Sequence, residues 1–206
     1  MRRDVTVLGK FCLNITHIPQ TITPADPEDK RNFSTCFYAA LRQFLPMSHL
    51  FQLTIDSLNK TNMIPNKDYN KNKLLSGMLQ LPDNFNLIID ETNLNTGELN
   101  QKGLLNVNSL KEIIKWQKMS YDFSYHHQEF NKNMKILVLS QTKSILPFDC
   151  QIKLNSNVDK FEPDKYESYV NELFNKTSSH LLNNIRKYFT ILSNIDYKLN
   201  QTMQKV

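Results

Sequence analysis

The chain has 206 residues and a formal net charge of +5, with 40% apolar, 10% aromatic and 22% charged residues. At about 150 residues per domain this predicts one domain with a single buried core, and the composition excludes a disordered or fibrous chain. Only 4 Gly and 8 Pro leave little material for glycine-rich phosphate loops or flexible linkers, and apolar runs such as 136–139 are far shorter than the roughly 20 residues that cross a bilayer.

Residues 5–15 read as a first strand, and 16–31, with Pro19, Pro24 and Pro27 among acidic groups, as a loop. Ser34 is placed to cap a helix running to about Leu45, with Phe37, Ala40, Leu41 and Phe44 on one face and Pro46 stopping it. A short strand is expected over 51–55. Leu74, Leu75, Met78 and Leu79 recur at helical spacing, so 68–79 predicts a second amphipathic helix, ended by Leu81-Pro82. Leu87-Ile88-Ile89-Asp90-Glu91 is apolar without alternation, the pattern of a strand buried on both faces, and closes on two acids. Residues 97–106 read as a polar loop, after which Asn108 caps a helix through Leu110, Ile113, Ile114 and Trp116. Tyr121-Asp122-Phe123-Ser124-Tyr125 alternates aromatic with polar residues, as a half-exposed strand or hairpin arm does. Residues 134–139 form a second doubly buried strand and 150–154 a shorter third. Helices follow over 164–174 and 178–199, the second carrying Ile185, Phe189, Leu192 and Ile195 three to four residues apart. Strands alternating with helices before a purely helical end predict a three-layer α/β core over 1–158 with a helical C-terminal lid over 159–206.

The 87–91 segment has the form of a Walker B strand, with Asp90 for a water on magnesium and Glu91 to polarise an attacking water. A working NTPase also needs G-x-x-x-x-G-K-[ST], because only glycines bring successive backbone N–H groups close enough to wrap phosphate oxygens. That pattern is absent. Gly9-Lys10 is the only Gly-Lys pair, with Asp4 in place of the first glycine and Phe11 in place of the hydroxyl; the loop 16–21 has neither glycine nor lysine, and its Pro19 removes a donor. ATP hydrolysis is not expected, and Asp90 and Glu91 stand as a degenerate pair with no cofactor. A nonstandard NTPase using them is the alternative.

His126-His127 with Asp122 and Glu129 predicts no metal site, since adjacent strand residues point to opposite faces. Ser124 and Cys150 lack the context of a nucleophile. Cys12, Cys36 and Cys150, without a C-x-x-C, predict neither a disulfide framework nor a zinc site and fit an intracellular, reducing compartment. The positive charge suits a polyanion only if lysines gather on one face, and in sequence Arg2-Arg3, Lys71/Lys73 and Arg186-Lys187 are scattered. Tyr121, Phe123 and Tyr125 have the chemistry to stack bases, but no Arg/Lys-rich run accompanies them. Core or partner-facing aromatics are expected, with a basic nucleic-acid-binding module as a further alternative.

Several stretches match a known pattern in order and spacing: Leu8-Gly9-Lys10-Phe11, Ile64-Pro65-Asn66-Lys67-Asp68-Tyr69, Leu75-Ser76-Gly77-Met78-Leu79-Gln80-Leu81-Pro82, Ile88-Ile89-Asp90-Glu91-Thr92, Trp116-Gln117-Lys118, Tyr121-Asp122-Phe123-Ser124-Tyr125-His126 and Leu146-Pro147-Phe148-Asp149-Cys150-Gln151-Ile152. Together they resemble the C-terminal region of the mini-chromosome maintenance (MCM) complex-binding family over nearly the whole chain. The resemblance implies a non-enzymatic nuclear factor that binds subunits of the MCM replicative helicase and acts in assembly, stability or unloading of that complex. DNA replication, cell division and sister-chromatid cohesion are the implied settings. It further implies a fragment of a longer protein, chromatin association only through MCM, and neither a membrane nor a small-molecule substrate. Finally, it implies a degenerate AAA+-like core in which 8–15 is the strand before a lost phosphate loop, 87–91 the Walker B strand and 134–140 the sensor strand, with Ser140-Gln141 at the sensor position. The candidate partner-binding residues are Trp116, Tyr121, Phe123, Tyr125 and His126.

Overall fold

The computed structural model of the chain describes residues 11–21, 31–45, 47–155 and 160–193. Leu8, Gly9, Lys10, Pro24, Pro27, Pro46 and the stretch 194–199 of the last expected helix lie outside them. The first strand, within these residues, is β1 (Cys12–Thr16), followed by the short β2 (Gln20–Thr21). The next element, α1 (Phe33–Leu41), is capped by Asn32 and not by Ser34. The Thr35 N–H donates to Asn32 Oδ1 at 2.8 Å and the Asn32 N–H to Thr35 Oγ1 at 2.9 Å, a reciprocal capping box. Ser34 lies inside the helix, almost fully buried.

The strand expected over 51–55 is β3 (Ser48–Gln52), and it ends early because Thr54 caps α2 (Ile55–Lys60) through a second such box with Ser57. No helix covers 68–79. An antiparallel hairpin of β4 (Asn66–Asp68) and β5 (Lys73–Leu75) stands there instead. Turn chemistry overrides the apolar spacing: Asp68 Oδ1 accepts from the N–H groups of Asn70 at 3.0 Å and Lys71 at 3.1 Å, and Asn72 takes a φ of 47°. The doubly buried strand is β6 (Phe85–Asp90).

The helix α3 (Gln101–Trp116) starts at Asn100, whose side chain accepts the Gly103 N–H at 2.7 Å, and Asn108 is interior to it. Residues 101–106 are therefore helix and not loop. Gly103 and Asn106 look unhelical because they serve the contact with α2. A Cβ at Gly103 would overlap Asn59, and Asn106 Nδ2 donates to the carbonyls of Leu58 and Thr61, both at 2.8 Å. The expected hairpin follows as β7 (Lys118–Asp122) and β8 (His127–Asn131), then β9 (Met134–Leu139), β10 (Cys150–Lys153) and the short β11 (Lys160–Phe161). The helices α4 (Pro163–Lys176) and α5 (Ser179–Ser193) complete the described chain.

Five strands form one parallel sheet in the order β10-β1-β9-β6-β3; β11 pairs with β2, and β5-β4-β7-β8 make a four-stranded sheet. Side chains alternate across each strand, so the parallel sheet has two apolar faces. On one, Leu87, Ile89, Ile136 and Val138 pack with Leu58 of α2 and with Leu110 and Ile113 of α3. On the other, Ile88 and Leu139 meet Phe33, Phe37 and Tyr38 of α1. Each fully buried Leu or Ile contributes about 1.5–3 kcal/mol. This parallel sheet flanked by helices is the α/β architecture that the sequence predicts. Neighbouring α4 buries no residue of its own. It is held to α1 by Arg31, which meets Asp164 at 2.9 Å and Glu167 at 3.1 Å, and by the Phe44 and Phe174 rings at 5.5 Å.

Candidate functional site

The carboxyl ends of parallel strands and the N-termini of the helices that follow converge on one edge of such a sheet, and ligand crevices form there. The loops after β1, β6 and β9 and the start of α1 enclose a cavity of about 260 Å³, whose lining includes Pro19, Gln20, Asn32, Ser34, Thr92 and Gln141. Among the described residues, no Lys or Arg lines it. Its polar groups are amides and hydroxyls, and Ser34 Oγ is buried there without a hydrogen-bond partner. The donors a phosphate would seek are reduced, since Pro19 has no N–H and the Thr35 N–H is spent on the Asn32 cap.

The two acids at the end of β6 separate. Asp90 is fully buried; its Oδ1 accepts from the Thr92 N–H at 3.0 Å and the Thr92 hydroxyl at 2.7 Å, and its Oδ2 has no partner. Glu91, the next residue, lies instead beside Ser144, Ile145 and Leu146. Burial pushes its carboxyl above the ordinary glutamate range, against the Ser144 hydroxyl and the N–H groups of Ile145 and Leu146, which hold it down. Neither acid lines the cavity. Ser140, also buried, donates to Asn14 Oδ1 at 3.1 Å and so ties β9 to β1, while Gln141 lines the cavity.

The partner-binding candidates occupy three places. Trp116 ends α3, half exposed, with Lys115 Nζ 5.0 Å from its ring centre. Tyr121 packs on Phe130 across β7 and β8, ring centres 4.6 Å apart, and its hydroxyl accepts from Gln80 Nε2. Phe123, Tyr125 and His126 form the turn beyond. There Ser124 takes a φ of 61° and donates its N–H to Asp122 Oδ1 at 2.7 Å, while the Phe123 and His126 rings stack at 5.0 Å. His127 points away to Asp122, 3.8 Å distant, and no cluster of three or more metal-ligating side chains occurs among the described residues.

A neighbour of that turn escaped the sequence reading. Because β4 runs parallel to β7, with Asn66 opposite Asp122, the β4–β5 turn emerges at the same end of the sheet. The Tyr69 hydroxyl donates to the Phe123 carbonyl at 2.8 Å, and its ring meets Tyr125 edge-on at 5.6 Å. The local signal was present in Asp68-Tyr69-Asn70-Lys71-Asn72, a turn composition outweighed in the reading by helical spacing.

Over residues 1–206 the sequence matches the family described as Mini-chromosome maintenance replisome factor. The chain belongs to this family. It is similar to the mini-chromosome maintenance complex-binding proteins of Mus musculus and Homo sapiens, at 41% and 39% identity over 99% of the chain, and to that of Arabidopsis thaliana at 32% over the whole chain. It spans 30% of the length of the mouse and human relatives and 32% of the plant one. In this chain the strand-end cavity and the paired turns belong to different sheets.

Proposed function

We propose that the chain is a non-catalytic binding factor of the MCM complex, built on a degenerate AAA+-like core that packs beside an MCM subunit by imitating its neighbour. The observation that carries this reading is the cavity. It sits at the carboxyl ends of β1, β6 and β9, where a nucleotide-binding α/β domain holds phosphate, yet no lysine or arginine among the described residues lines it, and Asp90 and Glu91 are not among its lining residues. The order of the sheet supports the AAA+-like assignment, since β9 lies between β1 and β6, as a sensor strand lies between the phosphate-loop and Walker B strands. MCM as the partner is carried over from the names of the family and of its relatives. On this reading the chain works in the nucleus, in assembly, stability or unloading of the MCM complex during DNA replication and sister-chromatid cohesion, with α4 and α5 as a helical lid on the core. On this reading chromatin is reached through MCM, and no small-molecule substrate is turned over.

The test titrates the purified chain against purified MCM subunits, with and without ATP, while phosphate release is followed. A saturable complex indifferent to ATP is expected, with no phosphate released above the blank by wild type or by Glu91→Gln. Failure to form any complex overturns the reading for this chain. Phosphate release that disappears in Glu91→Gln replaces it with the nonstandard NTPase.

A further inference from the structure

We infer that the turns 69–72 and 123–126, side by side at one end of the four-stranded sheet, form a stacking site for single-stranded nucleic acid. The inference stands apart from MCM binding and rests on three features of this end of the molecule.

The first is an open ring. Tyr125 is 88% exposed, with the Tyr69 ring beside it at an interplanar angle of 71°, not stacked on it, and that exposure leaves ring surface for a base to take. Tyr69 is itself 51% exposed beside it. The second is order before binding. Asp68 holds the first turn through two backbone N–H groups and Asp122 holds the second through one, while the Tyr69 hydroxyl ties the two turns together. Rings already held in place lose little freedom when they stack, so less of the interaction is spent on ordering.

The third is charge. In sequence no Arg/Lys-rich run accompanies Tyr121, Phe123 and Tyr125; the β4–β5 hairpin brings Lys71 and Lys73 to their end of the sheet, with Lys67 held to Asn72 Oδ1 at 2.9 Å. Lys71 and Lys73 are exposed, whereas Asp68 and Asp122 are half-buried and turned onto their own backbones. The next acid along β8, Glu129, is paired with Lys118 at 2.9 Å. Cations therefore project where carboxylates fold inward. Aromatic faces with lysines beside them are what a single strand needs, because every base has a π-face and every nucleotide a phosphate. An anchor for a protein partner instead sits in a packed, desolvated surround, and Tyr125 has none.

The experiment follows fluorescence anisotropy of labelled oligothymidine and oligouridine on titration with the whole chain at several salt concentrations, with a duplex of equal length as competitor. Saturable binding is expected, with log K falling against log salt at a slope of about −2 for three lysines. The single strand should outcompete the duplex. Tyr125→Ala should weaken binding roughly 5- to 100-fold, the loss of one stacked base, and Tyr125→Phe should retain it. Lys71→Ala with Lys73→Ala should flatten the slope by about 1.4. Whichever oligomer binds more tightly shows which strand is preferred, and either one with this Tyr125 dependence supports the proposal. It is overturned if no oligomer binds, if Tyr125→Ala binds like wild type, or if the duplex competes equally. It is also overturned if Tyr125→Ala spares oligomer binding and abolishes the MCM complex, which would make the turns a protein-docking surface.

Discussion

Asn106 is nearly fully buried and donates to two carbonyls at the end of α2, so its side chain is one of the ties between α2 and α3. Asn106→Ala leaves both carbonyls without a partner, and a loss of about 2–3 kcal/mol is expected in urea unfolding; a change within a few tenths would mean that water replaces the amide. Glu91 makes the opposite kind of contribution. Its carboxyl is held above the ordinary value of 4.5, chiefly by burial, so the folded state keeps a proton that the unfolded chain has released. Stability is then fully present below that value and falls as pH rises through the raised one. Glu91→Gln is expected to melt above wild type at about pH 7 and level with it below about pH 4, and equal melting at both would refute a desolvated carboxyl. At Cys36, burial and the nearby Glu167 carboxylate push the thiol up to about 11, whereas Cys150 is exposed. Alkylation of the native protein near neutral pH should modify Cys150 and spare Cys36, as peptide mass spectrometry reads directly.

Caps and turns decide where the elements begin. Ser34 has the right residue type for a cap, but Asn32 occupies the extended backbone position from which a side chain reaches the third helical N–H. Asn32→Ala is therefore expected to cost about 1 kcal/mol in denaturant unfolding. Ser34→Ala, which removes a buried hydroxyl with no partner, should be neutral or slightly stabilising. A larger loss from Ser34→Ala than from Asn32→Ala would restore the cap to Ser34. The hairpin of β4 and β5 carries the same lesson in reverse. Leu74 and Leu75 keep helical spacing with Met78 and Leu79, yet Leu74 is exposed on the hairpin and Leu79 is fully buried beyond it. Asp68 and Asn72 organise the reversal within five residues, and a local hydrogen bond wins over a period that no buried face enforces.

At the scale of the whole molecule, protection should follow burial. The central strands β6 and β9 are packed on both faces, while α4 buries nothing and α5 exposes Leu181, Tyr188 and Ile191. Amide hydrogen exchange is expected to be slowest in β6 and β9 and to open first in α4 and α5; equal protection in α4 and β6 would show one cooperative unit. By itself the sequence pointed to the strands over 87–91 and 134–139, because a strand covered on both faces carries apolar residues in a run without alternation. It also determined that no glycine-lysine phosphate loop is present, because no other residues can make one, and its motifs pointed to the family. Only the tertiary structure decided which polar ends meet. Ser34, Thr92 and Gln141 share a cavity, and Tyr69 reaches Tyr125, because parallel strands carry distant loops to a common edge. The pairing that does this joins segments far apart in the chain, and no local spacing of residues encodes it.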